Sequence, residues 1–269
     1  MEKMYIVNDI IRQLPGTTKP YLVSAVKKES AELTPEYFVI KFIQEAINEE
    51  VSGKILFNEL LGTKLGEHLG LPVMQGEFFE LTQQVIDSSE DLTRLKAKPG
   101  VCYGTKYLDG QTSIMSPKAL KQVKNKKDFG SIIFYDQFLL NIDRGANRGN
   151  WFIDVDLNLR AFDFTQIFGG VEHWNKFSLE HLQENPPSLV ESMDDLEYRY
   201  LADSIQSPQC FLDINRRLKN ISFQDYFNDI PQNWDISLED KNAAIQLLEF
   251  QRFHSDDIVR SLKSKFTLR

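Results

Sequence analysis

Asn141-Ile142-Asp143-Arg144-Gly145-Ala146-Asn147-Arg148-Gly149-Asn150, and further on Ala161-Phe162-Asp163-Phe164, place two acids and an amide at the edges of apolar segments. Trp151-Phe152-Ile153-Asp154-Val155 alternates as a strand, with Trp151, Ile153 and Val155 on one face. Leu159-Arg160-Ala161-Phe162 reads as a second strand. Asp156-Leu157-Asn158 between them carries turn chemistry, because Asp and Asn tolerate turn dihedrals. A turn centred between Asp156 and Leu157 sets Asn150 opposite Asp163 at the open end of a β-hairpin. An Asn and an Asp side by side, with Asp143 just upstream, is the arrangement that Mg²⁺-dependent phosphoryl transfer requires. Taken alone, the same letters also read as a surface hairpin flanked by two polar caps.

Working outward, Asp128 to Asn141 is a very apolar helical stretch that leads directly to Asp143. Asp143 is the candidate catalytic base, and Asn150 and Asp163 are candidate Mg²⁺ ligands, since hard oxygen donors suit that ion. Arg144 either pairs with a phosphate or supports the loop. Singly, Asp143 reads equally as an Asx-turn residue ending a helix, and Asp163 as an N-cap ahead of Thr165 to Phe168. Upstream, Lys41 stands in the apolar strand Tyr37 to Ile43, on the face of Val39 and Ile43. A buried Lys is costly unless paired, and Glu59 on the helix that follows is the natural partner. An edge-strand Lys that discourages aggregation is the competing reading. Gly16-Thr17-Thr18-Lys19-Pro20 precedes the first clear strand. Its amides and hydroxyls can cap ATP phosphates, but an ordinary turn explains the letters equally well.

The first ~110 residues mix strands with one strong helix. Tyr21-Leu22-Val23, Tyr37–Ile43, Val73–Leu81 and Val101–Leu108 read as strands, and Asp109-Gly110 as a turn. Val51–Leu69 reads as an amphipathic helix with Phe57, Leu61, Leu65 and Leu69 along one stripe, stopped by Gly70-Leu71-Pro72. Beyond Asn185-Pro186-Pro187, helices are expected over 189–205, 208–219 and 238–265. The plan is α+β: a small β-rich lobe over 1–108 and a larger helical lobe over 109–269.

Composition narrows the function. A formal net charge of −8 in 269 residues repels nucleic-acid phosphates and argues against a general DNA or RNA binder. The basic run Lys118 to Lys127 reads as a solvated helix face rather than a recognition patch. Two distant cysteines, Cys102 and Cys210, make no disulfide framework and fit a reducing compartment, with Cys102 a core residue. His68, His173, His181 and His254 show no zinc-ligand spacing. No run approaches the ~18 apolar residues that span a bilayer. The N-terminal stretch lacks a long apolar h-region, so a cytoplasmic protein without a membrane partner is expected.

At this point the chain resembles the HipA-like kinases, in a branch of short single-domain members distantly similar to phosphoinositide kinases. The resemblance lies in Pro15 to Pro20, Phe38-Val39-Ile40-Lys41-Phe42, Asn58-Glu59-Leu60-Leu61 running to Val73, and Tyr103-Gly104-Thr105-Lys106-Tyr107. It continues through Phe134-Tyr135-Asp136, Asn141 to Arg144, Gly149-Asn150 and Phe162-Asp163-Phe164. It implies a two-lobed protein-kinase-like fold and transfer of the ATP γ-phosphate to Ser or Thr of a protein. It implies Lys41 on the phosphates with Glu59 paired to it, Asp143 as catalytic acid/base, and Asn150 and Asp163 on Mg²⁺. Gly16, Thr17 and Thr18 would meet the nucleotide, as would Tyr103 and Thr105 on the adenine-side strand. Three departures stand out: Asp-Arg-Gly in place of Asp-Arg-His, Asp-Phe-Thr in place of Asp-Phe-Gly, and a long spacing from Asp143 to Asn150 that makes Asn147 a rival ligand. A small-molecule kinase and a non-catalytic nucleotide-binding or interaction module are the alternatives. The residues identify neither the acceptor nor any antitoxin-like or other regulatory partner.

Overall fold

Five strands close into a barrel in the computed structural model of the chain, which describes residues 4–28, 34–47, 49–108, 110–112, 116–145, 150–170, 173–205, 207–228 and 230–267. They are β1 (Met4–Gln13), β2 (Tyr21–Lys27), β3 (Glu36–Lys41), β4 (Gly76–Leu81) and β5 (Gly100–Lys106), in the order β1-β2-β3-β5-β4. Parallel pairing of β1 with β4 closes the ring. Alternation decides what faces inward. Phe38 and Ile40 of β3 point to the core, where the Phe38, Tyr5 and Phe79 rings meet at centroid distances of 4.6 to 5.6 Å. Cys102 is buried in the same core. Lys41 therefore takes the outer face, which it shares with Val39 as the alternation anticipates.

β1 was not legible as a strand. Register shifts between Val7 and Asp9 and between Ile10 and Arg12 break its alternation, and much of its far half is exposed. The Gly16 segment accordingly joins two strands rather than preceding the first. Val73–Leu81 also needs shortening, since β4 begins at Gly76 and Val73 makes an isolated bridge to Ala161.

Helix α1 (Gly53–His68) follows β3. It is buried on most of its circumference, polar Asn58, Glu59 and Thr63 included, so the expected one-sided stripe understates its burial. Two short helices, α2 (Gln83–Asp87) and α3 (Glu90–Arg94), start at Thr82 and Ser89, whose hydroxyls accept from Val85 N and Leu92 N.

The contacts group the chain into two units, each discontinuous: Met1–Leu60, Met74–Leu108 and Asp229–Ile236 in the first, Leu61–Val73, Asp109–Asn228 and Ser237–Arg269 in the second. In the first unit Trp234 packs on Phe78 and Tyr103 and donates from Nε1 to Val101 O at 2.8 Å. The second unit holds a three-stranded antiparallel sheet of β6 (Gly110–Thr112), β7 (Trp151–Asp154) and β8 (Leu159–Ala161). Its helices are α4 (Pro117–Gln122), α5 (Phe129–Phe138), α6 (Lys176–His181), α7 (Leu196–Ala202), α8 (Gln209–Leu218), α9 (Asp225–Asn228), α10 (Leu238–Phe253) and α11 (Ser255–Lys265). The helix expected over 189–205 resolves into a 3₁₀ turn, Glu191–Asp194, followed by α7. The one expected over 238–265 breaks at His254, which packs on Phe250 and Phe253 and pairs with Asp257. Asp109 of the anticipated turn lies outside the described residues.

Candidate active site

α5 is buried at nearly every position, including Asp136 within an apolar run. Leu140 turns left-handed at its end (φ 54°), and Asn141 N returns to Asp136 O at 2.8 Å. Asn141 then works from both ends of its amide. Nδ2 donates to Asp136 Oδ1 at 3.0 Å, and Oδ1 accepts from Asp143 N at 3.2 Å. The Asx-type turn at this helix end thus belongs to Asn141, and Asp143 is the residue it presents.

Arg144 and Asp136 form an ion pair with no solvent access, Nε lying 2.7 Å from Oδ2. Tyr198 Oη donates to the same oxygen at 2.9 Å. Burial raises the pKa of the Asp136 carboxyl, and Arg144, Tyr198 and Asn141 each work against that rise. For Arg144, burial is the largest influence and opposes the charge, but Asp136, Tyr198 and Asp163 together outweigh it, so the guanidinium's pKa is raised further. From this anchor Arg144 Nη1 donates to two carbonyls, Asn150 O at 2.8 Å and Phe162 O at 2.6 Å. Its planar head lies over the Phe164 and Trp151 rings at 4.5 and 5.2 Å. Of the two readings of Arg144, loop support fits this burial. A phosphate-pairing role requires an accessible head.

Asn150 and Asp143 come together: Asn150 Nδ2 donates to Asp143 Oδ2 at 2.9 Å. The hairpin exists, but its register corrects the expected one. Trp151 pairs with Ala161 and Ile153 with Leu159, which sets Phe162, not Asp163, opposite Asn150. The cause is Asp154, whose Oδ1 accepts from Asp156 N and Asn158 N and centres the turn on Asp156. Asp163 lies one residue beyond, left-handed at φ 59°, with Thr165 Oγ1 donating to its Oδ1 at 2.7 Å. It heads a turn rather than a regular helix. The chain after it docks along the end of α5, through Ile142 N to Gln166 O, Phe168 N to Leu139 O and Gly169 N to Leu140 O. Phe164 is fully buried beside Tyr135, in a seat that exists because position 62 of α1 is glycine. The departure at Gly145 has a similar cause, since a Cβ there would stand 2.5 Å from Asp195 Oδ2 and 2.9 Å from Tyr198 Cδ2. Asn147 lies outside the described residues.

In the first unit, Lys41 Nζ and Glu59 Oε1 are in direct contact as a buried ion pair. The pairing of Tyr21 with Ile40 brings the β1–β2 loop to the Lys41 end of β3. That loop is closed by Leu14 N to Pro20 O at 2.8 Å, with Gly16 at φ 147°, Thr17 exposed and Thr18 buried. Lys41 pairs with Tyr103 and Val39 with Thr105, so these four share the outer face of the barrel. Tyr103 is buried there against Phe78 and Trp234.

Sequence reasoning gave no role to three supports, Asp136, Tyr198 and Gly62, although Asp136 stood in one of the segments that carry the resemblance. An acid in the middle of so apolar a helix was a usable signal for the first, because a buried carboxylate demands partners. Around Asp143 the donors are a carboxylate and a side-chain amide, hard oxygens of the kind Mg²⁺ takes alongside phosphates and water. No group of three or more His, Cys, Asp or Glu is gathered for a metal among the described residues. The donor set thus fits an ion that arrives with phosphates better than a cage built wholly of protein. Among the described residues no helix is long and apolar enough to cross a membrane.

The solved structure of the proinflammatory kinase CtkA from Helicobacter pylori superposes with a TM-score of 0.56 over 94% of each chain, at 13% identity. At that identity the likeness is one of fold. No curated protein matches the sequence. The family model for HipA-like kinases matches residues 7–262. That match spans nearly the whole chain, so the chain belongs to the HipA-like kinase family.

Proposed function

We propose that the protein is an ATP- and Mg²⁺-dependent kinase of two lobes that transfers the γ-phosphate to a hydroxyl, of Ser or Thr in a protein substrate. The observation that carries this reading is the hydrogen bond between Asn150 and Asp143, in a loop that Arg144 also ties to the residue before Asp163. Phosphoryl transfer asks the protein mainly for positioning and charge neutralisation. Asp143 accepts the proton of the attacking hydroxyl, and the Asn150 amide fixes the rotation of its carboxylate. Asn150 and Asp163 are the residues to hold Mg²⁺, which neutralises charge on the phosphates. Lys41, oriented by Glu59, meets the phosphates from residues 1–108, with Gly16, Thr17 and Thr18 of the adjacent loop capping them. Tyr103, packed against Phe78 and Trp234, and Thr105 beside it line the nucleotide side of the barrel. The catalytic loop and hairpin lie within residues 109–269.

Asp143→Asn tests this reading. Transfer from γ-labelled ATP should fall by roughly two orders of magnitude or more, as for loss of a general base, while the fold is retained. Undiminished transfer by a folded Asp143→Asn protein would remove Asp143 from the mechanism.

A further inference from the structure

We infer that Arg144 is a positioning residue for the metal ligands. Its guanidinium, anchored on Asp136, sets the separation of Asn150 and Asp163 through the carbonyls of Asn150 and Phe162. The inference rests on the kinase reading of those two residues. One nitrogen, Nη1, serves both carbonyls, at 2.8 and 2.6 Å, so the start of β7 and the end of β8 are fixed to a common point. That point cannot drift, because Nε is held by both Asp136 oxygens, at 2.9 and 2.7 Å. Asp136 is itself held by Asn141 and Tyr198. The Nη2 atom is buried without a hydrogen-bond partner among the described residues, and the head lies over the Phe164 and Trp151 rings. These aromatics directly follow Asp163 and Asn150, so each candidate ligand is flanked by a group that touches the guanidinium. Mg²⁺ demands near-ideal octahedral geometry, so its affinity is sensitive to ligand spacing in a way that overall stability is not. A lysine keeps the charge but lacks the rigid fork that reaches Asp136 and two carbonyls together.

The test is a Mg²⁺ titration of the melting temperature with a non-hydrolysable ATP analogue, in wild type, Arg144→Lys, Asp136→Asn and Leu179→Ala. Leu179→Ala, a buried truncation in α6, controls for general loosening. In Arg144→Lys the half-maximal Mg²⁺ concentration should rise at least about tenfold, a shift of ~1.4 kcal/mol in ligand geometry. Asp136→Asn should raise it in the same direction and provides the reading should Arg144→Lys not fold. Leu179→Ala should melt lower with an unchanged midpoint. A folded Arg144→Lys with a midpoint within twofold of wild type overturns the inference, as does an equal shift in Leu179→Ala. A wild type with no Mg²⁺-dependent shift sinks the kinase reading itself and this inference with it.

Discussion

Replacing Gly62 by alanine sets two effects of opposite sign against each other. An alanine in a helix interior is favoured over glycine by ~1 kcal/mol. Against this, a Cβ at position 62 would stand 2.6 Å from Phe164 Cδ1 and closer still to Phe164 Cβ and Cγ. These atoms lie at the root of the side chain, so no rotamer change relieves the contact. Phe164 is boxed in by Tyr135, at 5.9 Å between centroids, and by the Arg144 head at 4.5 Å. Overpacking of a dense core costs about 1–3 kcal/mol, and this geometry belongs at the upper end. The expected net loss is about 2 kcal/mol, a fall in melting temperature of roughly 4–8 °C. Phe164→Ala alone should cost about 3–5 kcal/mol through its cavity. In the double variant the contacts with Cγ and Cδ1 have gone while the one with Cβ remains, so part of the Gly62→Ala cost is relieved and the double should lose less than the sum of the two singles. The assay is urea unfolding of wild type, both single variants and the double. A Gly62→Ala protein as stable as wild type, or strictly additive effects, would refute the seat between Gly62 and Phe164.

Two other perturbations follow from buried charges. Lys41→Met removes the cation that Glu59 contacts and should cost about 3 kcal/mol, more than Lys41→Met/Glu59→Leu, in which both charges are gone. Chemical denaturation of the pair checks it, and a double variant no better than the single contradicts it. Asp154 is buried, which works against its charge, but the Asn158 amides and Arg160 hold its pKa below the usual carboxylate value. A depressed folded pKa gives stability that is fully present above the unfolded value, about 3.9, and is lost as pH falls through the folded one. Asp154→Asn should therefore be less stable than wild type at pH 7, with the gap closing below about pH 4. A gap that persists in acid would show that shape rather than charge matters there.

Local patterns carried the strands and the order of the candidate residues, because alternation and turn chemistry are local. The face that Lys41 shares with Val39 on β3 and the hairpin around Asp156 were legible for that reason. Where one polar side chain resets the geometry, the letters ran out. Asp154 moved the hairpin register by one residue through two backbone hydrogen bonds. His254 broke a continuous helical pattern without a glycine or proline. β1 was hidden by its bulges and exposed residues. The loop's main support was the least legible part, since the Tyr198 hydroxyl reaches Asp136 across 62 positions of sequence. No periodicity encodes that contact. The glycines at 62 and 145 likewise look like ordinary letters until the close approach of Phe164 and of Asp195 gives the reason for them.

Thermal unfolding of wild type and Asp163→Ala with ATP, each with and without Mg²⁺, tests the proposed chemistry most directly. A ligand at about 100 times its Kd adds ~2.7 kcal/mol, a rise of roughly 5–10 °C for a chain of this size. Wild type should show that rise only when Mg²⁺ accompanies ATP, and Asp163→Ala should lose the Mg²⁺-dependent part. A wild type unmoved by millimolar ATP with Mg²⁺, or an Asp163→Ala protein that keeps the full Mg²⁺-dependent rise, would contradict a Mg²⁺–nucleotide site at Asp163.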